Sequence, residues 1–352
     1  MSYLCLSFRR TDNMLSVEQL EKGYNRFHAY LNTDFRVDDK RILLELHCGG
    51  LRVESFDIDS QTVYACLNYA DEESKRRQQG SLVEFHNDLN EENRQRLEKL
   101  HAIRDSIMHG YEGFYLLYQP VVDAKTERLI GAEALLRWKN DRYGTVPPDL
   151  FIPILESDPL FPNLGEWILR ESILAARQII KIYPDFVMNV NLSYTQLEKP
   201  DFADMVLRLL NELEYPPEHL CLEVTERCRL LDLELLKNVV ACLKSKGVLV
   251  ALDDFGTGFS SIGLLKEIPV NIIKIDRSFV RRIEQNDTDR KIMRSIADLA
   301  SIFSAKVCVE GIETEGMRDI LKCYHVESFQ GYYYAKPLAL EQFLEWRSIS
   351  GE

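Results

Sequence analysis

The chain contains no apolar run approaching the roughly 18 residues that a membrane-spanning helix needs, and its N-terminus lacks a basic stretch leading into an apolar one. These absences give the expectation of a cytoplasmic protein without a membrane segment. Eight cysteines, at positions 5, 48, 66, 221, 228, 242, 308 and 323, form no C-x-x-C pair. That pattern offers little to a structural zinc or a dithiol redox centre, and buried thiols in a reducing compartment are expected instead. Positive charge is also short. With 43 Lys and Arg against 56 Asp and Glu, the net charge is −13, which argues against a broad surface for polymeric nucleic acid. A small anionic ligand stays open, because metal ions and one or two cationic side chains can neutralise a phosphodiester locally. Neither internal repeats nor low-complexity tracts are evident.

What the 352 residues do contain is a hydrophobic fraction of 45%, enough for one large domain or for a large domain with a smaller partner. From about Tyr111 onward, β-rich runs alternate with helical patterns. The runs are Phe114 to Val121, Ile130 to Trp138, Phe186 to Leu192, Leu220 to Thr225, Leu249 to Asp254, Ile272 to Ile275, Lys306 to Glu310 and Ser328 to Tyr333. Between them, Leu164 to Lys181, Gln196 to Leu213, Leu231 to Lys246 and Asp289 to Phe303 carry apolar residues at helical spacing. Repeated βα units predict an α/β fold, a (β/α)8 TIM-like barrel. Only Asp123 to Leu129 separates the first two strands, too little for the dozen or so residues of a parallel crossover. One antiparallel strand is therefore expected, with the barrel occupying residues 111–352.

Residues 1–88 read as a small α+β region, joined to the barrel by a connecting helix over 89–110. Ser16 is placed to cap a helix with Leu20, Tyr24, Phe27 and Leu31 on one face. Arg41 to His47 and Leu51 to Phe56 flank Gly49-Gly50, which predicts a hairpin. Thr62 to Leu67 reads as a further β-like run, followed by Ser81 to Phe85. The connecting helix would turn Leu97, Leu100, Ile103 and Ile107 inward.

Each barrel strand contains or ends in a polar residue: Gln119, Glu133, Asn191, Glu223, Asp253 with Asp254, Lys274, Glu310 and Gln330. Singly, an Asp or Asn after a strand is more often a cap or turn residue than a ligand. In a (β/α) barrel, however, the C-terminal strand ends meet on one face. Carboxylates gathered there cannot all stay ionised without positive charge, and Lys274 alone does not balance them. Oxygen donors without convergent His or Cys point to Mg²⁺ or Mn²⁺. Two such ions, about 3.5–4 Å apart, activate water and stabilise the leaving oxygen of a phosphodiester. Adjacent strand residues face opposite sides, so Asp253 and Asp254 share a site only if the backbone turns there.

Glu133-Ala134-Leu135, followed by Leu136-Arg137-Trp138, resembles the signature of the EAL-domain cyclic di-GMP phosphodiesterases. Similar in order and spacing are Tyr118-Gln119-Pro120, Asn191-Leu192-Ser193, Glu223-Val224-Thr225-Glu226, Asp253-Asp254-Phe255-Gly256-Thr257-Gly258, Ile273-Lys274-Ile275-Asp276, Glu310-Gly311-Ile312-Glu313 and Gln330-Gly331-Tyr332. The resemblance covers residues 111 to 347. It implies hydrolysis of cyclic di-GMP to linear 5′-pGpG with two Mg²⁺ or Mn²⁺ ions. The implied metal ligands are Glu133, Asn191, Glu223, Asp253, Asp254 and Glu310. Lys274 would stand beside the attacking water, while Asp254 or Glu310 would take its proton. Gln119, Leu135, Arg137, Gln330 and Pro337 would contact substrate. The loop from Phe255 to Ser261, tethered by Glu226, would order the aspartates and take part in a homodimer. One departure is Asp158-Pro159-Leu160, where the family usually has a glycine near Pro159; it bears on the substrate rim rather than the metal set.

The segment Ala70-Asp71-Glu72-Glu73-Ser74-Lys75, with Leu82-Val83-Glu84-Phe85, is similar to the end of a GGDEF domain. Gly49-Gly50 is followed by Leu51-Arg52-Val53 rather than by an Asp-Glu pair, so a truncated remnant without cyclase activity is expected. Two alternatives to the hydrolase stand beside it. A non-catalytic cyclic di-GMP receptor would lack a metal ligand, Lys274 or part of the loop, and a nuclease-like enzyme would carry a broad basic groove. The sequence shows neither feature.

Overall fold

The computed structural model describes residues 22–29, 36–37, 40–41, 47–51, 63, 66–67, 70–71, 74, 82–85, 91–156, 158, 160–225, 228, 233–256 and 261–347. By its internal contacts the chain divides into two units, Met1–His101 and Ala102–Glu352. The division falls within the helix Glu91–Met108.

In the first unit, residues 22–29 are helical, with Phe27 half exposed. Ser16, Leu20 and Leu31 lie outside the described residues. Strands β1 (Arg36–Val37) and β2 (Lys40–Arg41) pair antiparallel, and β3 (Cys48–Leu51) pairs in parallel with β4 (Leu82–Phe85). Two sequence expectations are corrected here. Gly49 and Gly50 are not a hairpin turn; both lie within β3, opposite Val83 and Glu84. A Cβ on Gly49 would come within 2.5 Å of the Asp71 amide nitrogen and 2.8 Å of the Leu67 carbonyl. The glycine there allows a close backbone approach rather than a turn. Likewise the β-like run at Thr62 to Leu67 is helical at its described positions, Val63, Cys66 and Leu67, and so are Ala70, Asp71 and Ser74. Cys66, Ala70 and Ser74 are buried. Their four-residue spacing follows one helix face, a period that outweighs the β-branched residues at the start of the run.

The second unit is the expected barrel. Its strands are β5 (Phe114–Asp123), β6 (Leu129–Asn140), β8 (Val187–Leu192), β9 (Leu220–Thr225), β10 (Leu249–Phe255), β11 (Ile272–Ile275), β12 (Lys306–Val309) and β13 (Ser328–Gln330), while the short β7 (Gly144–Val146) extends β6 outside the ring. Neighbours from β6 through β8 to β13 run parallel, whereas β5 pairs antiparallel with both β6 and β13 and closes the barrel. The short link after β5 forces that reversal. Asp123 shapes it, accepting hydrogen bonds from Lys125 N at 3.0 Å and Thr126 N at 2.7 Å. The sequence reading did not include β7, a hairpin strand whose turn is fixed by Asn140 accepting from Arg142 N at 2.9 Å.

Outward-facing residues of the strands pack under the helices. On β6 these are Ala132, Ala134, Leu136 and Trp138, all in the hydrophobic core, leaving Gly131, Glu133, Leu135 and Arg137 on the inner face. Helix Phe161–Ile179 buries Leu164, Ile168, Ile173, Ala176 and Ile179, the stripe expected of a helix covering a sheet. The pattern from Gln196 to Leu213 is not one helix but two, Tyr194–Leu197 and Phe202–Glu212. Pro200, in the gap, lacks an amide donor and disfavours helix at Lys199. Ser193 starts the first of them with a capping box to Gln196.

Candidate active site

Along the inner face, polar residues sit two positions after small or polar ones on the same strands: Asn191 after Asn189, Glu223 after Cys221, Asp253 after Ala251, Glu310 after Cys308 and Gln330 after Ser328. Side chains two apart share a strand face. Compact residues thus occupy the barrel interior beneath a layer of long polar ones at the C-terminal ends. Strand register sets Glu133 opposite Gln119 and Asn191 opposite Glu223.

That layer closes on Lys274. Its Nζ lies 2.7 Å from Glu223, 2.7 Å from Glu310, 3.1 Å from Glu133 and 3.8 Å from Asp253. The lysine is only 2% exposed. Glu133 is held from two further sides, by Asn191 Nδ2 at 2.6 Å and Gln330 Nε2 at 2.7 Å. Gln330 Nε2 also donates to Gln119 Oε1 at 3.2 Å, and Gln119 Nε2 donates to the carbonyl of Ala335 at 3.2 Å. The Ala335 contact is one the sequence reading missed; a backbone carbonyl 216 residues away leaves no side-chain signal.

Burial and mutual repulsion set the protonation of these groups. Burial alone would raise the Glu133 pKa, but Lys274 and the hydrogen bonds from Gln330, Lys274 and Asn191 outweigh it and hold Glu133 below the usual carboxylate range. Glu223, fully buried among Glu133, Asp253 and Glu310, is pushed far up by burial and by those neighbours, against the pull of Lys274. Burial also raises Asp253, and it pushes Glu310 up to about 8. Asp254, nearer solvent, is raised to about 6 by burial together with Asp253 and Asp276. Lys274 itself is raised well above its ordinary value: burial acts against its charge, and the four carboxylates overcome it.

The adjacent aspartates have a backbone cause. Asp254 has φ of 54°, and the β10–β11 register shifts between Leu252 and Phe255. A bulged, left-handed residue turns the strand at this point, so the strict alternation that would send Asp253 and Asp254 to opposite faces no longer applies. Asp253 is buried while Asp254 is exposed at the mouth.

The remaining predicted residues are placed as follows. Leu135 and Arg137 are half-buried on the Glu133 face of β6, and Arg137 Nη1 donates to the Leu136 carbonyl at 2.8 Å, away from the lysine cluster. Pro337 is half-buried beside Leu338, which exchanges backbone hydrogen bonds of 2.8 and 2.9 Å with Tyr118, next to Gln119. Glu226 and residues 257–260 of the aspartate loop lie outside the described residues, so the tether has no structural reading. Asp158, in the segment that departs from the resemblance, is buried in a 2.6 Å ion pair with Arg104 and accepts a hydrogen bond from Leu160 N at 2.9 Å.

Among the described residues no group of three or more Asp, Glu, His or Cys side chains stands at metal-ligand spacing; the centre of the carboxylates is taken by the Lys274 ammonium. The donor chemistry nevertheless fits a hard divalent cation. The set is oxygen-rich, and the buried Asp253 Oδ1 has no hydrogen-bond partner. Cys221 and Cys308 below it remain thiols, Cys221 pushed far up and Cys308 up to about 12 by burial, which disfavours soft-metal ligation.

Comparison with known proteins gives this arrangement a family. The EAL domain profile matches residues 101–337. The bifunctional diguanylate cyclase/cyclic di-GMP phosphodiesterase MucR of Pseudomonas aeruginosa is 33% identical over 74% of this chain and 38% of its own length. A second cyclic di-GMP phosphodiesterase of that organism is 33% identical over 67% of this chain and 40% of its own. The chain thus spans less than half the length of these curated relatives. Among solved structures, the MucR phosphodiesterase in complex with c-di-GMP superposes with a TM-score of 0.65 at 33% identity, covering 70% of this chain and 99% of that one. The EAL enzyme Bd1971 in its cAMP and cyclic-di-GMP bound form gives a TM-score of 0.69 at 28% identity, covering 82% and 76%. With the barrel, the polar strand ends and the profile in agreement, the chain belongs to the EAL domain family.

Proposed function

We propose that the barrel hydrolyses cyclic di-GMP to linear 5′-pGpG, with Mg²⁺ or Mn²⁺ ions held by Glu133, Asn191, Glu223, Asp253, Asp254 and Glu310. The observation that carries this reading is the convergence of four carboxylates from separate strands on one buried lysine. When bound, the ions supply Lewis-acid activation of water and charge for the leaving oxygen. The chain's own residues do the rest. Gln330, Gln119 and Asn191 fix the orientation of Glu133. Lys274 places a permanent positive charge where the phosphoryl oxygens gain negative charge in the transition state. Asp254 or Glu310 would accept the proton of the attacking water. Leu135, Arg137 and Pro337 would line the substrate rim. A homodimer through the barrel, with Glu226 tethering the loop, and a cytoplasmic location belong to the same proposal.

Purified protein incubated with cyclic di-GMP should yield 5′-pGpG in Mg²⁺ or Mn²⁺. In Ca²⁺ it should bind the dinucleotide without cleaving it, because calcium's longer and looser coordination misplaces the reacting groups. Lys274→Ala should slow turnover by ~10²-fold or more while weakening dinucleotide binding in Ca²⁺ far less. Binding in all three ions with no cleavage in any would replace the hydrolase with a receptor.

A further inference from the structure

Lys274 does more than stand near the carboxylates. Its ammonium lies within 3.1 Å of Glu133, Glu223 and Glu310 and 3.8 Å from Asp253. Of these four side chains, Glu223 is 0% exposed and Glu310 20%. Water therefore does little to balance the cluster, and the ammonium offsets part of the carboxylate charge from inside. The oxygens it engages belong to the same side chains a divalent cation would need, and an ammonium and a metal ion repel one another. Both cannot hold those oxygens at contact distance. The backbone at this point is pinned, since Lys274 pairs in register with Cys308 between β11 and β12, but a four-carbon stem lets the ammonium move without moving the strand.

We infer that Lys274 is a resident competitor for the metal site: its ammonium occupies the carboxylate oxygens of the metal-free barrel, and loading of divalent ions displaces it from Glu223 and Glu310. The inference rests on the metal-dependent reading above. It gives Lys274 two opposed effects, weakening metal affinity while supplying charge to the reaction. A bound phosphodiester would offer the displaced ammonium a new anionic partner, so metal and dinucleotide should each tighten the binding of the other.

Calorimetric titration of the full chain with Mn²⁺, without dinucleotide, tests this directly. Lys274→Met should bind Mn²⁺ at least tenfold more tightly than wild type. In Lys274→Ala, propylammonium chloride restores the lost ammonium and should weaken Mn²⁺ binding saturably, whereas equal sodium chloride should not. Should neither variant fold, the ¹⁵Nζ resonance of Lys274 in wild type must move as Mg²⁺ is added. Unchanged or weaker Mn²⁺ affinity in folded Lys274→Met, equal effects of the two salts, or an unmoved resonance while Mg²⁺ binds would each overturn the inference and leave the hydrolase reading intact. Failure of wild type and variants alike to bind Mn²⁺ would overturn the metal-dependent reading itself.

Discussion

Asp254 combines a carboxylate proposed for the metal site with a backbone conformation that side chains other than those of Asn and Asp adopt reluctantly, φ of 54°. Asp254→Asn should therefore match or exceed the thermal midpoint of the parent while losing most phosphodiesterase turnover. Asp254→Val, β-branched and held in the same bulge, should be less stable by about 1–3 kcal/mol. A denaturant melt of both variants separates the two effects; equal stability would mean that the bulge carries no strain. The raised carboxylates make a second prediction at this scale. Asp254, raised to about 6, and Glu310, raised to about 8, bind protons more tightly folded than unfolded. Their stabilising effect is complete below the ordinary carboxylate range and is lost as pH climbs through 6 and then 8. Metal-free protein should thus lose thermal stability between pH 6 and pH 8. Because metal ligation needs the deprotonated oxygens, Mg²⁺ should raise the melting temperature more at pH 8 than at pH 6. Thermal melts with and without Mg²⁺ at the two pH values check both statements.

Between elements, the buried pair of Arg104 and Asp158 joins helix Glu91–Met108 to the segment before helix Phe161–Ile179. Both side chains are almost fully covered, at 6% and 1% exposure. Removing the Asp158 carboxylate takes a 2.6 Å charge-assisted hydrogen bond from a buried guanidinium, so Asp158→Ala should cost about 1.5–3 kcal/mol in the stability of the barrel unit. Arg104→Met combined with Asp158→Leu should recover much of that loss. Urea unfolding of the single and double variants decides the point, and a single variant as stable as the parent would show the pair to be expendable.

For the whole molecule, the question is what the first unit contributes. Its β3 carries Gly49-Gly50 inside a parallel strand pair rather than at an exposed turn, and Leu51-Arg52-Val53 follows directly where an Asp-Glu pair would be needed. We propose that this unit is a remnant of a cyclase-like domain serving regulation or dimerisation. Incubated with GTP and Mg²⁺, the full chain should form no cyclic dinucleotide by chromatography, and detectable synthesis would refute the remnant reading.

The sequence by itself determined the barrel and its chemical inventory. β-rich runs alternating with helical patterns call for the barrel, the short link from Asp123 to Leu129 forces an antiparallel start, and a polar residue at successive strand ends marks one face of a closed ring. Gly49-Gly50 and Thr62 to Leu67 were misread because glycine pairs and β-branched residues carry local preferences that packing overrides. The helical spacing of Cys66, Ala70 and Ser74 was the better signal. Only the tertiary structure decided how the inventory is arranged. The bulge that lets neighbouring aspartates depart from strict alternation, the Ala335 carbonyl that receives Gln119, the partner of Asp158 and the seat of Lys274 among four carboxylates all depend on distances between residues far apart in the chain. A sequence pattern records which face a side chain takes, but charges and hydrogen bonds act through space, and that geometry exists only once the barrel has closed.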